Sequence, residues 1–194
     1  MKTFASFTLV FLSGALTSIY FILPMIRVDL RFVELEAYVV RNSVLFSPVF
    51  SGVMLVLLWT FNSALASLLG RRLSRNVKVK LVRVMNEIAI SYLPILILMP
   101  FLIPYTWLNL PSYVANSLDE YVELVKELER NGIYVNGILV ILFISLMSNV
   151  IYPLVFKYRL GFGWKNAALL TFAILLSNAL IMLWIFGTGQ GILP

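Results

Sequence analysis

Long apolar stretches separated by short polar connections dominate the sequence. Five stretches are long enough to cross a hydrocarbon core of about 30 Å, which takes about 20 helical residues at a rise of about 1.5 Å each. They lie at residues 4–25, 44–69, 88–108, 137–156 and 166–186. The pattern predicts an all-α fold class: a single transmembrane domain over residues 1–194, built as a polytopic transmembrane helical bundle of about five spans.

Residues within the predicted spans bear on their continuity and packing. The third span contains Pro94, Pro100 and Pro104, and proline favours a kinked or broken helix because it removes a backbone donor. Small residues four apart, Gly14 and Ser18 among them, predict close helix approach. The first apolar run exceeds that of a signal peptide and no A-x-A site follows it, so we expect it to be a membrane anchor.

The polar segment between the third and fourth spans has helical character. Ser117 and Glu120 form a capping-box pattern, and apolar residues follow at helical spacing. The pair Asn131-Gly132 predicts where this helix ends. We expect a short extracytoplasmic amphipathic helix near residues 117–130, resting its apolar stripe on the outer rim of the bundle. The connection between the first two spans, residues 27–42, is also amphipathic and predicts a similar helix.

The composition agrees with a membrane protein. Apolar residues make up 61% of the chain and charged residues 12%, against roughly 45–50% and about 25% in soluble domains. A soluble fold of this composition would expose large apolar patches, which soluble monomers rarely do. The sequence has no cysteine and no histidine. This excludes disulfides, thiolate chemistry and histidine-based metal sites.

The distribution of lysine and arginine predicts the orientation, because both concentrate on the cytoplasmic side. One side carries ten basic residues: Lys2, Arg71, Arg72, Arg75, Lys78, Lys80, Arg83, Lys157, Arg159 and Lys165. The other side carries five, Arg27, Arg31, Arg41, Lys126 and Arg130, and all the acids except Glu87. We therefore predict an integral, multi-pass protein whose N-terminus is cytoplasmic and whose C-terminus is extracytoplasmic.

The basic connection between the second and third spans is a candidate contact surface. Its residues are Arg71, Arg72, Arg75, Lys78, Lys80 and Arg83. Each cation near a membrane surface contributes on the order of 1 kcal/mol to attraction by anionic lipid. We expect membrane lipids with anionic headgroups to bind here. A protein partner is the alternative, and the orientation bias by itself also explains the charges. It also explains the net charge of +6, so we expect no binding of nucleic acid.

Three pairs of polar residues interrupt the apolar spans. They are Asn62-Ser63, Ser148-Asn149 and Ser177-Asn178. Buried amides in lipid need partners, so we expect these residues to face one another in the bundle interior. One interpretation is that they hold the helices together. The other is that they line a path for a substrate or ion near the middle of the membrane. We favour the first, because no ionisable group accompanies them.

Glu87 is the one acid on the predicted cytoplasmic side, at the start of the third span. A carboxylate that enters a membrane is a candidate ion or proton site. A carboxylate is also stabilised at a helix N-terminus, by the positive end of the helix dipole, and Arg83 lies one turn before it. We favour this second, structural interpretation.

No enzyme motif is present in the sequence. It has no G-x-S-x-G, no P-loop, no H-E-x-x-H and no paired intramembrane carboxylates. We assign no catalytic, cofactor-binding or metal-ligating residue. We expect a protein that is not an enzyme and that uses no cofactor.

Three short motifs accompany the second and third spans. They are Phe46-Ser-Pro48, Leu68-Leu-Gly70 and Ser91-Tyr92-Leu-Pro94. Over residues 45–108 the chain resembles the Yip (Ypt-interacting protein) family, in which a small residue and a tyrosine followed by proline open the third span. Ser91 stands where that family usually has glycine, and the outward acidic helix is not part of the family's pattern. The resemblance implies five spans, a cytoplasmic N-terminus and a role in membrane organisation or trafficking through partners.

Taken with the absence of enzyme motifs, these features predict a non-enzymatic, Yip-like scaffold or interaction protein. The first alternative is a small transporter or channel component, in which the intramembrane asparagines line a polar path. The second alternative is an accessory subunit of a larger membrane complex, which would present an extensive apolar face to its partner.

Overall fold

A computed structural model describes residues 3–31, 35–73 and 80–189, with side chains except at residues 35–37 and 182–189. The helices are α1 (Thr3–Phe21), α2 (Leu23–Ile26), α3 (Leu35–Leu73), α4 (Leu81–Ile88), α5 (Leu93–Asn109), α6 (Leu118–Glu129), α7 (Gly132–Leu154) and α8 (Trp164–Gly189). Two short strands, β1 (Val28–Leu30) and β2 (Tyr113–Ala115), follow α2 and α5. A 3-10 turn (Ala89–Tyr92) joins α4 to α5, and a π turn (Val155–Arg159) follows α7.

Five helical segments of the described chain are long and apolar enough to cross a membrane. They are Thr3–Phe21, Tyr38–Leu73, Leu81–Asn109, Gly132–Arg159 and Trp164–Ile181. Each contains or overlaps one of the five predicted spans. The predicted fold class, an all-α membrane protein with five spans, is confirmed.

The chain forms two compact units. We name the first the basic unit; it comprises Met1–Ser6, Leu57–Ser91 and Met147–Pro194. The second, named the capped unit, comprises Phe7–Val56 and Tyr92–Leu146. The capped unit contains both strands and α6, whereas the basic unit contains α4, the π turn and α8.

The third span is helical through its two inner prolines. α5 includes Pro100 and Pro104, and the change in hydrogen-bonding pattern occurs before it, in the 3-10 turn that ends at Tyr92. Pro94 lies in the first turn of α5, where a backbone N–H has no partner in the helix and its loss costs little. The predicted break thus lies at the start of the span.

A parallel pair of strands caps one end of the capped unit. β1 and β2 pair with Val28 opposite Tyr113, which local sequence patterns do not reveal because the two strands are far apart in the chain. The helix predicted for residues 27–42 is therefore wrong in its first part. Its second part is the beginning of α3, which starts at Leu35 and continues without interruption into the second span.

The predicted amphipathic helix is confirmed as α6. The Ser117 hydroxyl accepts the Glu120 N–H at 3.2 Å, and the Glu120 carboxylate accepts the Asn116 N–H at 2.7 Å. The first bond is that of a capping box, whereas the second reaches Asn116, one residue before the N-cap Ser117. The apolar face is buried against α2, β1 and β2 through Tyr121, Val125 and Leu128.

The pair Asn131-Gly132 follows directly after the end of α6, where a helix end is predicted, and it also starts the next helix. The side-chain oxygen of Asn131 accepts the Ile133 N–H at 2.9 Å, and Gly132 is the first residue of α7. α6 has already ended at Glu129. Asparagine is also favoured at a helix N-cap, so this pair by itself does not distinguish a helix end from a helix start.

Two tyrosines join α1 to α7 within the capped unit. The rings of Tyr20 and Tyr134 are stacked, with centroids 5.4 Å apart. The Tyr20 hydroxyl donates to the Tyr134 carbonyl at 2.9 Å, and the Tyr134 hydroxyl donates to the Phe21 carbonyl at 3.1 Å. The Thr106 hydroxyl of α5 lies 3.4 Å from the Tyr20 oxygen. Three spans thus share one buried polar cluster.

Small residues bring α1 and α3 into close contact in the same unit. A Cβ added to Gly14 would lie 2.8 Å from the Ser51 carbonyl oxygen and 3.1 Å from the Gly52 Cα. One turn along α1, the hydroxyls of Ser18 and Ser47 are 2.7 Å apart and form a hydrogen bond. The close approach expected from the spacing of Gly14 and Ser18 is therefore present.

Gly137→Ala should destabilise the protein, because a Cβ there would overlap the Tyr20 hydroxyl and lie 2.5 Å from Tyr20 Cζ. Overpacking of this kind costs about 1–3 kcal/mol. The measurement is the midpoint of thermal unfolding in a mild detergent. Gly132→Ala is the matched control, since no atom lies within 4 Å of its added Cβ. Equal midpoints for both variants would contradict the packing described for Tyr20.

Candidate functional site

The ends of four chain segments meet at one end of the basic unit, named here the basic end. The Asn166 side-chain amide donates to the Leu73 carbonyl at 3.1 Å, which joins the start of α8 to the end of α3. The Arg83 guanidinium donates to the Arg159 carbonyl at 2.7 Å, which joins α4 to the π turn. Cations from distant parts of the sequence are thereby brought together.

Four of the six predicted contact residues are described at the basic end. Arg71, Arg72, Lys80 and Arg83 are exposed, whereas Arg75 and Lys78 lie outside the described residues. Folding adds three cations that the sequence analysis did not assign to the surface: Lys157, Arg159 and Lys165. Their place on the same predicted side of the membrane was the available signal.

Glu87 forms an ion pair with Arg159 in this cluster. The Arg159 Nε donates to a carboxylate oxygen of Glu87 at 2.9 Å, with 61% of the Arg159 side chain and 18% of the Glu87 side chain exposed. The carboxylate is thus neutralised by a cation that stays in contact with water. Among the described residues, no unpaired acid therefore remains at the basic end.

The predicted position of Glu87 at a helix N-terminus is wrong. α4 begins at Leu81, because residues 81–88 already carry an amphipathic helical pattern, so Glu87 lies in its last turn. The helix dipole does not favour a carboxylate there. Its partner is Arg159 of the π turn, whereas the expected partner, Arg83, bonds to the Arg159 backbone.

Contacts around α4 and the π turn fix the positions of these charges. The Trp59 indole N–H donates to the Met85 carbonyl at 3.0 Å, and the Ser6 hydroxyl donates to Asn86 at 2.7 Å. The chain reverses at Gly161, whose φ of 80° suits glycine. The ring of Phe162 then covers Gly70, where an added Cβ would lie 2.8 Å from it.

The three intramembrane polar pairs all belong to the basic unit. Asn62, Ser63 and Ser148 are buried, whereas Ser177, Asn178 and Asn149 are half-buried. Neither side-chain polar atom of Asn62 has a hydrogen-bond partner among the described residues, so Asn62 is not bonded to the other two asparagines. The Asn178 side-chain oxygen is also buried and unpaired within the described chain.

Two hydroxyl groups in these spans, unlike the Asn62 amide, form hydrogen bonds within their own helices. The Ser63 hydroxyl donates to the Trp59 carbonyl at 2.7 Å, and the Thr171 hydroxyl donates to the Ala167 carbonyl at 2.9 Å. Both bonds span one turn of the donor's own helix, as is usual for serine and threonine. The expected pairing between spans is therefore not seen at Asn62. Its buried amide has no hydrogen-bond partner among the described residues, which is energetically costly.

The three asparagines lie at similar depths when measured along their helices. From the Asn166–Leu73 bond, Asn62 is about 17 Å along α3 and Asn178 about 18 Å along α8, at about 1.5 Å per residue. Asn149 is about 15 Å from Arg159 on the same scale. A hydrocarbon core of about 30 Å that began at these helix ends would have all three near its middle.

Glu87→Gln should lower the stability only slightly, by up to about 1 kcal/mol, as for other ion pairs in contact with water. The Arg159→Gln variant should show a loss of similar size, and the double variant less than the sum of the two because the residues interact directly. Thermal unfolding at low and high salt measures this. A much larger loss, independent of Arg159, would indicate instead that Glu87 binds an ion.

Comparisons with known proteins add no information about function. No family model matches the chain, and no curated protein and no solved structure shows significant similarity to it. The resemblance to the Yip family stays a prediction based on residues 45–108. The described residues contain no group of three or more acidic side chains placed to hold a metal ion. The chain is a multi-pass membrane protein with five apolar spans.

Proposed function

We propose that this protein is a non-enzymatic membrane scaffold or interaction protein that binds anionic lipid headgroups through its basic end. The observation that supports this most is the assembly of exposed cations from α3, α4, the π turn and α8 at one end of the basic unit, where Glu87 is already paired with Arg159. The predicted orientation places this end on the cytoplasmic side, where the leaflet is anionic. The Yip-like resemblance, with its role in membrane organisation, agrees with the proposal.

The arrangement of the basic end favours a diffuse headgroup surface over a deep site. Arg72, Lys80 and Lys165 are exposed and belong to three different segments. Each contributes on the order of 1 kcal/mol of attraction near an anionic surface. An acidic region of a partner protein would satisfy the same charges, and the resemblance to interaction proteins makes it the alternative occupant.

A small transporter or channel component is the second candidate function, and Asn62 favours it. A fully buried amide with no partner among the described residues is costly in an apolar interior. Water or a polar substrate at that depth would remove the cost. Asn149 and Asn178 lie at a similar depth in the same unit, so they belong to the same candidate path.

Replacing Arg72, Lys80 and Lys165 together by Gln should weaken binding of phosphatidylglycerol at least about tenfold, because three cations each contribute on the order of 1 kcal/mol. The measurement is native mass spectrometry of the purified protein with phosphatidylglycerol or phosphatidylcholine. The matched control replaces Arg31, Lys126 and Arg130, which are exposed and predicted to lie on the other side of the membrane. Equal losses in both triple variants would contradict the proposal.

Asn62→Leu distinguishes the two candidate functions. If the scaffold proposal is correct, stability stays equal or rises, because an apolar side chain of similar size replaces an unpaired amide. Ser63→Ala is the control and should cost about 0.5–1.5 kcal/mol, since it removes the bond to the Trp59 carbonyl. Thermal unfolding and solute flux into liposomes are measured together. A stability loss with abolished flux in Asn62→Leu would favour the transporter.

A further inference from the structure

A groove of about 620 Å³ lies in the capped unit. It is bordered by β1, by the first turns of the spanning part of α3 and by the end of α5, with Tyr121 of α6 at its edge. Its volume is within the range of small-molecule binding sites. None of the residues assigned to the basic end contributes to it, so this groove is a separate feature of the molecule.

Arg27 supplies one cation to the groove and is held in a fixed position. Its guanidinium donates to the Leu110 carbonyl through Nε at 3.1 Å and also through Nη2. It lies over the ring of Trp107, 4.7 Å from the ring centre. Because both hydrogen bonds use the Nε–Nη2 edge, the Nη1 edge is not occupied by Leu110. A guanidinium fixed in this way is well prepared to bind an anion.

Arg41 supplies the second cation. It lines the groove from α3 and is exposed, and its side chain has no hydrogen bond or ion pair with any other described residue. Asp29 also lines the groove, but it forms no ion pair with either arginine in the described chain. Among the described residues that line the groove, two arginines therefore outnumber one carboxylate, which gives this lining a positive excess.

The phenols of the groove add no negative charge at physiological pH. The Tyr113 hydroxyl donates to a Glu127 carboxylate oxygen at 3.0 Å, which raises the pKa of Tyr113. Burial raises the pKa of Tyr121, whose hydroxyl donates to the Met25 carbonyl at 3.3 Å. Both rings stay neutral and contribute apolar surface with a polar edge.

The wall that α3 contributes combines charge with apolar surface. Val40, Val44 and Leu45 line the groove beside Arg41. Val40 and Val44 are one turn apart, as are Arg41 and Leu45, so the charged and the apolar positions share one face of the helix. Leu45 is 61% exposed, and Phe46 and Val49 beyond it are exposed as well. The groove therefore opens onto the apolar surface of a membrane-spanning helix.

We propose that the groove binds an anionic amphiphile from the membrane. Its phosphate or carboxylate headgroup contacts Arg27 and Arg41, and the first part of its acyl chain lies along Val40, Val44 and Leu45 of α3. A free anion would use the two arginines and leave the apolar wall uncovered. A neutral lipid would cover the wall and leave Arg41 without a counter-charge. An anionic amphiphile satisfies both parts of the site.

The test is carried out in the Arg72→Gln, Lys80→Gln, Lys165→Gln background, which weakens binding at the basic end. Dodecyl phosphate, dodecylphosphocholine and inorganic phosphate are each titrated into the protein in a neutral maltoside detergent. The rise in unfolding midpoint reports binding. We expect dodecyl phosphate to stabilise the protein at concentrations where the other two probes do not.

Three further variants locate the site. Arg41→Gln should weaken binding of dodecyl phosphate about tenfold, as loss of a charge-assisted hydrogen bond does, and it removes no side-chain hydrogen bond or ion pair of the described residues. Arg31→Gln is the matched control, because Arg31 is exposed and close in sequence but does not line the groove. Val44→Trp should weaken dodecyl phosphate by filling the apolar wall. Arg27→Gln is avoided, since it would also uncap α5.

Three results would overturn this proposal. The first is that inorganic phosphate raises the unfolding midpoint as much as dodecyl phosphate does, which would show a free-anion site. The second is that dodecylphosphocholine binds as well as dodecyl phosphate, which would show a site for any single-chain amphiphile. The third is an equal effect of Arg41→Gln and Arg31→Gln, which would place the binding elsewhere. Each outcome is distinguishable from a failure of the proposal for the basic end, because that proposal is tested separately by the Arg72, Lys80 and Lys165 triple variant with phosphatidylglycerol.

Discussion

The demand that every peptide group be hydrogen-bonded within the lipid-facing part of the chain shapes this molecule. No water is present in the hydrocarbon core to bond a free N–H or C=O, so the spans are helical. The irregular backbone lies at or near the ends of spans: the paired strands β1 and β2, the 3-10 turn before α5 and the π turn after α7. Arg27 shows the same constraint at a span end, where its guanidinium bonds to the Leu110 carbonyl at the C-terminus of α5.

Side chains meet the same demand in two different ways. Serine and threonine hydroxyls bond to carbonyls of their own helices, as Ser63 does with Trp59. Tyr20 and Tyr134 bond to carbonyls of a neighbouring span, and their stacked rings then tie α1 to α7. Asn62 does neither among the described residues. Asn62 is therefore the residue at which a function other than packing is easiest to detect.

The extent to which the sequence predicts this structure follows from which interactions are local. Five spans and α6 are predicted because apolar length and the Ser117–Glu120 cap are properties of adjacent residues. The pairing of β1 with β2, the bond between Glu87 and Arg159 and the groove at Arg41 join distant residues, and no local pattern encodes them. The same limit explains the basic end: its first residues were predicted from one connection, whereas Lys157, Arg159 and Lys165 join only through folding.

The proposed function depends on the predicted orientation, with five spans, the basic end in the cytoplasm and α6 outside. The chain contains no cysteine, so a single introduced thiol reports its own location without a special background. Lys80→Cys and Glu123→Cys, both at exposed positions on either side of α5, are labelled with a membrane-impermeant maleimide in intact cells and after disruption. We predict that Glu123→Cys is labelled in intact cells and Lys80→Cys only after disruption. Labelling of both in intact cells would contradict the span between them, and the reverse pattern would contradict the orientation.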